Sequence, residues 1–137
     1  MALTHLVDTS VLARVSNPTV RSALEPHLTN GTAARAGISD LEIGFSARNA
    51  AEWDRLNEAV GVFPLVETTD VHLRRARHVQ RLLADRNLRG RKVPDLLVAA
   101  AAEDQGLVVL HYDVDFDFIA QVTGQATEWA SAAGTID

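Results

Sequence analysis

A chain of 137 residues with 47% hydrophobic content has the size of one domain and can bury one core. It contains no cysteine, which excludes disulfides, thiolate metal sites and cysteine nucleophiles, so any metal must bind oxygen or imidazole ligands. The net charge of −5 is unevenly distributed: residues 74–92 carry eight basic residues against one acid, and the rest of the chain carries five against seventeen. This segregation allows one surface to attract phosphates while another concentrates carboxylates.

The first residues, Met1 to Asp8, lack the basic start and the apolar stretch of a secretory signal. No apolar run reaches the roughly 18 residues that a membrane span requires. We therefore expect a single domain over residues 1–137, no membrane association and a cytoplasmic location.

Short apolar runs alternate with helical patterns in the first third of the chain. Leu3 to Val7 predicts a strand that ends at an acid, and Pro18 to Leu28 predicts a helix that ends at an Asn-Gly turn. Ala33 to Gly37 is a weaker candidate for a second strand. The order of these elements is strand, helix, strand.

Two helix starts follow. Ser39 and Glu42 form a capping-box pattern, which predicts a helix from Ser39 to about Ala47. A second start signal at Asn49 begins another helix, and Val62 to Val66 then predicts a third short strand.

The second half of the chain continues the alternation. Thr69 predicts the N-cap of a long helix, and the basic loop Asn87 to Lys92 follows it. Pro94 begins a helix rich in Leu and Ala that ends near Gly106. The remaining predicted elements are a strand, a helix and an edge strand: Leu107 to Leu110, Asp115 to Val122 and Thr127 to Trp129. This alternation predicts an α/β fold with a mainly parallel sheet that helices cover on both faces.

Acidic residues occur where such a sheet would bring them to one edge. Asp8 directly follows the first strand, and Asp113 and Asp115 follow the late apolar strand. Glu42 and Asp95 lie in the first turns of helices. Carboxylates that converge in this way repel one another unless a cation neutralises them, and hard oxygen ligands favour Mg²⁺ or Mn²⁺.

Most of these acids also have a purely structural explanation. Glu42 fits a capping box, and Asp95 is a favourable charge at a helix start. Asp115 and Asp117 fit a helix cap and a first-turn acid. Asp8 differs, because an acid at the end of a buried strand has little structural reason to be there. A functional role is therefore best supported at Asp8.

Four short motifs occur in order along the chain. They are Leu6-Val7-Asp8-Thr9-Ser10-Val11-Leu12, Ser39-Asp40-Leu41-Glu42, Pro94-Asp95-Leu96-Leu97-Val98-Ala99-Ala100-Ala101-Ala102 and His111-Tyr112-Asp113-Val114-Asp115-Phe116. Together they resemble a PIN domain, and their spacing is similar to that of the VapC-type bacterial toxins. The resemblance covers about residues 3–119.

The resemblance implies a three-layer α/β/α sandwich and a Mg²⁺- or Mn²⁺-dependent endoribonuclease. Such an enzyme cleaves structured cellular RNA (tRNA, rRNA or mRNA) as the toxin of a toxin–antitoxin pair. A homodimer and a cognate antitoxin protein that silences it are also implied.

The resemblance also assigns the site residues. Asp8, Glu42 and Asp95 match the first three acids of the family. Many similar proteins have Thr-Arg-Asn-x-Asp-Phe near the fourth, so Asp113 stands at an Asn position and Asp115 at the recurrent Asp, and either or both complete the set. The implied metal ligands are Asp8, Asp95, Asp113 and Asp115.

Two further groups complete the expected site. Ser10 matches the hydroxyl residue that follows the first acid, and it is expected to orient Asp8 or a bound water. The basic segment 74–92 is our candidate for the RNA-binding surface. The residues expected to bind RNA are Arg74, Arg77, Arg81, Arg89, Arg91 and Lys92.

Three other classes of protein are alternatives to a PIN-domain nuclease. A receiver domain needs paired acids after the first strand and a lysine after the late strand, but Asp8 stands alone and the only lysine is Lys92. An aspartyl phosphatase needs a second acid two residues beyond the first, where this chain has Ser10. A non-catalytic RNA-binding or protein-interaction module with a PIN-like fold remains open, and metal-dependent cleavage by pure protein would exclude it.

Overall fold

A computed structural model describes residues 2–136 of the chain. The prediction of a single domain over residues 1–137 also includes Met1 and Asp137, which lie outside the described residues. The described part contains five strands, which are β1 (His5–Val7), β2 (Ala33–Ala36), β3 (Leu65–Val66), β4 (Val108–His111) and β5 (Thr127–Trp129). They form one sheet in the order β3-β2-β1-β4-β5, and every pair is parallel.

Seven helices connect or follow these strands within residues 2–136. They are α1 (Thr9–Leu12), α2 (Pro18–Asn30), α3 (Gly37–Gly44), α4 (Ala50–Val60), α5 (Asp70–Asp85), α6 (Val93–Gln105) and α7 (Asp115–Thr123). None of them combines the length and the apolar character needed to cross a lipid bilayer.

The two faces of the sheet belong to two separate hydrophobic cores. Leu6 in β1 and Val109 in β4 pack with residues of α5, α6 and α7. Their neighbours Val7 and Leu110 pack on the opposite face with residues of α1, α2 and α4. Because consecutive side chains of a strand point to opposite faces, helices cover the sheet on both sides. The predicted α/β/α sandwich with a parallel sheet is therefore confirmed.

Helix α6 forms the centre of the first core. Leu96 and the run 98–102 are buried, and the small alanine side chains let the helix lie close to its neighbours. Burial of one Leu or Val side chain contributes about 1.5–3 kcal/mol to the free energy of unfolding. This packing fixes the first turn of α6, where Asp95 lies.

The predicted capping box at Ser39 is wrong. Helix α3 begins at Gly37 after an N-cap at Ala36 that makes no side-chain capping bond, because the chain passes directly from β2 into the helix. The Ser39 side chain is instead buried inside the first turns, where its hydroxyl is hydrogen-bonded to that of Thr9. Asn49 and Thr69, in contrast, cap α4 and α5 as predicted.

Two of the boundaries that differ from the prediction have a clear physical cause. The third strand is limited to Leu65–Val66, because Phe63 is buried in the core and Pro64 has no N–H for a ladder. Helix α3 ends at Gly44 instead of about Ala47. A Cβ on Gly44 would lie 2.5 Å from Trp53 Nε1, so the close approach of α3 to α4 requires glycine there.

Candidate active site

Asp8 lies where β1 ends, at the carboxyl edge of the sheet. Its N–H donates to the carbonyl of Leu110 at 2.9 Å, which continues the pairing of β1 with β4. The Asp8 Oδ2 atom accepts the Ser10 N–H at 2.9 Å and caps α1. Asp8 Oδ1 is buried and has no hydrogen-bond partner among the described residues. One carboxylate oxygen is thus left for a ligand.

Three further acids meet at the same edge. Each of Asp95, Asp113 and Asp115 offers one oxygen, and these oxygens lie within 4.8 Å of one another. Asp113 Oδ1 accepts the Asp115 N–H at 2.9 Å, which holds the turn between β4 and α7. Asp95 Oδ2 is buried without a hydrogen bond from the described residues. The structure therefore brings together acids that are up to twenty residues apart in sequence.

Two of the predicted RNA-binding residues contact these acids. Lys92 Nζ lies 2.5 Å from an oxygen of Asp113, 3.4 Å from one of Asp115 and 3.5 Å from Asp95 Oδ2. Arg91 Nη1 donates to Asp115 Oδ1 at 3.0 Å. Both cations thus partly neutralise the acidic cluster.

Burial and mutual repulsion act on the most enclosed acids. Burial raises the pKa of Asp8 to about 6, the charge of Glu42 adds to this, and hydrogen bonds from Ser10 oppose it. Burial also raises the pKa of Asp95, and the charges of Asp8 and Asp113 add to this. A bound cation would relieve both effects, because it favours the ionised carboxylates.

Ion pairs favour the charged forms of Asp115 and Lys92. Burial tends to raise the pKa of Asp115, but hydrogen bonds from the Lys92 N–H and from Asp95, together with the nearby cations, hold it below its usual value. Burial tends to lower the pKa of Lys92, but its hydrogen bond to Asp113 and the neighbouring carboxylates raise it above its usual value. Lys92 is therefore a stable ammonium at neutral pH.

Helix α3 carries Glu42. The Thr9 hydroxyl donates to Glu42 Oε1 at 2.7 Å and so fixes the carboxylate beside Asp8. Sequence reasoning did not single out Thr9. In the sequence, only the position of Thr9 directly after Asp8 could have indicated its role, because its partner Glu42 is 33 residues further along the chain.

Ser10 supports the first acid and the late turn together. Its N–H bonds to Asp8, and its hydroxyl accepts the Tyr112 N–H at 2.8 Å. These two bonds tie the end of β1 to the residues after β4, and the orienting role of the Ser10 side chain stays a prediction.

Asp117 and His111 lie beside the acids but face other groups. The Asp117 carboxylate accepts the Trp129 Nε1–H at 3.1 and 3.3 Å. His111 is fully buried, and burial lowers its pKa to about 4, so it is neutral at pH 7. Its Nδ1 accepts the Asp113 N–H at 3.2 Å, which makes it a support for the turn that carries Asp113.

Three of the other predicted RNA-binding residues, Arg77, Arg81 and Arg89, line a groove beside the acids. Arg74, Arg77 and Arg81 are exposed on α5, opposite a buried stripe that includes Ala76, Val79 and Leu83. A groove of about 670 Å³ lies between α5 and the basic loop. Its arginines are Arg77, Arg81, Arg89 and Arg91. Because Arg91 also contacts Asp115, the groove leads to the acidic cluster.

The donor set fits a hard divalent cation. Asp8 Oδ1 and Asp95 Oδ2 are buried oxygens without hydrogen bonds from the described residues, and such groups are costly unless a ligand satisfies them. Carboxylate oxygen is the ligand that Mg²⁺ and Mn²⁺ prefer. The residues that are present therefore suit a metal of this class.

Replacing Asp8 with Asn should raise the melting temperature of the metal-free protein at pH 7, by about 5 to 10 °C. The folded-state pKa of about 6 lies above the ordinary aspartate pKa of 3.8, so between these values the folded protein binds more protons than the unfolded chain. The free energy of unfolding of the wild type consequently falls as the pH rises through this window, by on the order of 3 kcal/mol, and the variant avoids the loss.

Thermal melts in a chelator at pH 4 and pH 7 measure this effect, with a much smaller difference expected at pH 4. Asp54→Asn, on the exposed surface of α4, is the matched control and should leave the melting temperature unchanged. A lower melting temperature for Asp8→Asn at pH 7 would contradict the electrostatic description of the site.

Comparison with known proteins identifies the family. The model of the PIN domain matches residues 5–122. Ribonuclease VapC51 of Mycobacterium tuberculosis (strain ATCC 25618 / H37Rv) is 60% identical over 137 residues, with 100% of both chains covered. Ribonuclease VapC21 of Mycobacterium tuberculosis (strain CDC 1551 / Oshkosh) is 42% identical, with 98% of this chain and 99% of the relative covered.

Solved structures share the same fold. DNA-bound VapBC from Salmonella typhimurium superimposes with a TM-score of 0.76 at 15% identity, covering 94% of this chain and 99% of that one. VapBC-5 from Mycobacterium tuberculosis gives a TM-score of 0.63 at 23% identity, with coverage of 93% and 96%. Since the family model matches most of the chain and the VapC relatives align over nearly all of it, the chain belongs to the PIN domain family, among the VapC ribonucleases.

Proposed function

We propose that this protein is a metal-dependent endoribonuclease that acts as the toxin of a toxin–antitoxin pair. The observation that carries the proposal is the cluster of Asp95, Asp113 and Asp115 at one sheet edge, near enough to Asp8 that its charge raises the pKa of Asp95. Asp8 and Asp95 each keep one buried carboxylate oxygen without a hydrogen bond from the described residues. The 60% identity to a ribonuclease VapC over the full chain supports the same activity. The whole chain, residues 1–137, would act as one nuclease domain.

The chemistry follows from the donor set. Asp8, Asp95, Asp113 and Asp115 would hold Mg²⁺ or Mn²⁺, and the ion would supply Lewis acidity for activating water and for polarising the phosphate. Glu42, whose carboxylate accepts the Thr9 hydroxyl, would accept the proton of the attacking water. Water that attacks the phosphorus and expels the ribose 3′-oxygen would leave 5′-phosphate and 3′-hydroxyl ends, and the ribose 2′-hydroxyl would take no part.

The substrate would approach along the arginine groove. The exposed arginines of α5 and Arg89 present positive charge to a phosphate backbone, and Arg91 connects this surface to the acids. Structured cellular RNA with unpaired loops suits a site that needs an accessible backbone. An activity on cellular RNA implies a cytoplasmic site of action.

A cognate antitoxin would silence the enzyme, and the toxin itself would be a homodimer. VapBC-5 is described as a member of the VapBC family of toxin–antitoxin systems, which supports this pairing for a chain of the VapC family. The acidic cluster already accepts the ammonium of Lys92. A cationic side chain on an antitoxin tail would find the same carboxylates and compete with the metal.

Incubation of purified protein with total cellular RNA tests the activity. We expect cleavage with Mg²⁺ or Mn²⁺, its loss in a chelator and its return when metal is restored. Mapping of the RNA ends should give 5′-phosphates. Cleavage that persists in a chelator would contradict the mechanism, and the absence of cleavage by protein that binds both metal and RNA would favour the non-catalytic module.

A further inference from the structure

Lys92 is the only lysine in the sequence, and its ammonium lies among three carboxylates of the acidic cluster. We propose that Lys92 is an exchangeable internal counter-ion, which neutralises Asp113 and Asp115 in the metal-free protein and leaves them when a divalent ion binds. This inference rests on the proposed function, because it takes these acids to be metal ligands.

Local helix chemistry does not explain the position of this ammonium. Lys92 is the N-cap residue of α6, and its side chain makes no capping hydrogen bond. A cation at the positive end of the helix dipole is unfavourable. The contacts with the carboxylates of Asp113, Asp115 and Asp95 must therefore hold it there.

The neighbouring cation is fastened in a different way. The guanidinium of Arg91 donates to Asp115 and lies 4.5 Å from the centre of the Phe118 ring, and its side chain is 22% exposed. The Lys92 side chain is 58% exposed and touches only carboxylates through its ammonium among the described residues. A flexible four-carbon stem lets an ammonium move with little rearrangement, whereas a stacked guanidinium stays in place. Lys92 is thus the exchangeable member of the pair.

A metal ion and the ammonium would compete for the same residues. The carboxylate oxygens of Asp95, Asp113 and Asp115 lie within 4.8 Å of one another, and Nζ already lies within 3.5 Å of all three residues. Mg²⁺ binds oxygen at about 2.0–2.1 Å and requires near-octahedral space around it. The two cations also repel each other. Binding of the ion therefore requires the ammonium to withdraw.

Nuclear magnetic resonance can observe the exchange directly. The protein is labelled with ¹³C and ¹⁵N in lysine and prepared without an affinity tag that contains lysine. Its spectra then contain one set of lysine side-chain signals, those of Lys92. We expect the Lys92 ε-methylene and ammonium signals to move to the values of an exposed lysine during a Mg²⁺ titration, with the midpoint that calorimetry finds for Mg²⁺ binding.

Calorimetry of variants tests the competition independently. Lys92→Gln should bind Mg²⁺ about tenfold more tightly, because an ion pair no longer has to be broken. Lys92→Arg keeps the positive charge and should stay within about threefold of the wild type. Arg55→Gln removes the same charge from the exposed surface of α4 and should also stay within about threefold, which controls for net charge.

The outcomes separate this inference from the proposed function. The counter-ion role would be overturned if the Lys92 signals did not move at Mg²⁺ saturation. It would also be overturned if Lys92→Gln bound Mg²⁺ no more tightly than the wild type. Either result would leave the nuclease assignment intact. Absence of Mg²⁺ and Mn²⁺ binding in both proteins would overturn the metal site and this inference with it. Should Lys92→Gln fail to fold, the spectra of the wild type still decide.

Discussion

Asp8→Asn and Asp95→Asn should each lower the rate of RNA cleavage by roughly 1,000-fold or more, because loss of a metal ligand removes several kcal/mol of transition-state stabilisation. Both side chains are buried at the carboxyl edge of the sheet, and each holds an oxygen without a hydrogen-bond partner among the described residues. Initial rates at saturating Mg²⁺ measure the effect, and circular dichroism checks that both variants stay folded.

Asp117→Asn is the matched control. It removes one carboxylate charge from the same edge, but an asparagine oxygen can still accept the hydrogen bond of Trp129 Nε1. We expect its activity to stay within about threefold of the wild type, because its charge mainly interacts with the dipole of α7, worth about 0.3–1 kcal/mol. Full activity of both site variants, or a loss confined to Asp117→Asn, would show that the catalytic acids are assigned incorrectly.

Replacement of Arg74, Arg77 and Arg81 by Gln should weaken RNA binding by roughly 100-fold at 0.1 M salt, if each contacts one phosphate. The slope of log affinity against log salt concentration should become shallower by about 2, since each contact on single-stranded RNA contributes about 0.7. The three side chains are exposed opposite the buried stripe of α5, so stability should change little. Salt titrations in an Asp95→Asn background, which prevents cleavage, give both quantities.

The control for this experiment is a second triple variant with the same change in net charge. It replaces the exposed arginines Arg21, Arg48 and Arg55, which lie on or next to α2 and α4. We expect a clearly smaller change in slope, because these residues do not line the groove. Equal slopes for the wild type and the α5 variant would exclude this helix from the RNA path and leave the loop from Arg86 to Lys92 as the remaining candidate.

The sequence was sufficient to predict the layered fold and where the acids lie. Asp8 stood out because an acid after a buried strand is hard to explain structurally, and the strand ends were enough to place Asp113 and Asp115 near it. The prediction of a capping box at Ser39 was wrong because tertiary packing, which a local sequence pattern does not describe, determines its environment. The Ser39 side chain is buried, and its hydroxyl is hydrogen-bonded to that of Thr9.

The roles of Thr9 and Lys92 could not be predicted for a related reason. Thr9 meets Glu42 only after α3 has packed against α1, and Lys92 meets Asp113 only after the basic loop has folded over the start of α7. A charge count assigned Lys92 to the surface that attracts phosphate. Its contacts come from the path of the loop in three dimensions, which charge spacing along the chain does not encode.

Strand β1 lies at the centre of the sheet, and this position protects the edge that carries Asp8 from local unfolding. This strand is paired on both sides, by β2 and β4, its residues Leu6 and Val7 belong to different cores, and Asp8 follows it directly. Removing Asp8 from its position requires both layers to open, so we expect the amides of this strand to exchange with solvent only on global unfolding. Proteolysis within β1 should accordingly follow the population of the globally unfolded chain, so a variant with a lower free energy of unfolding should lose this strand to a protease faster.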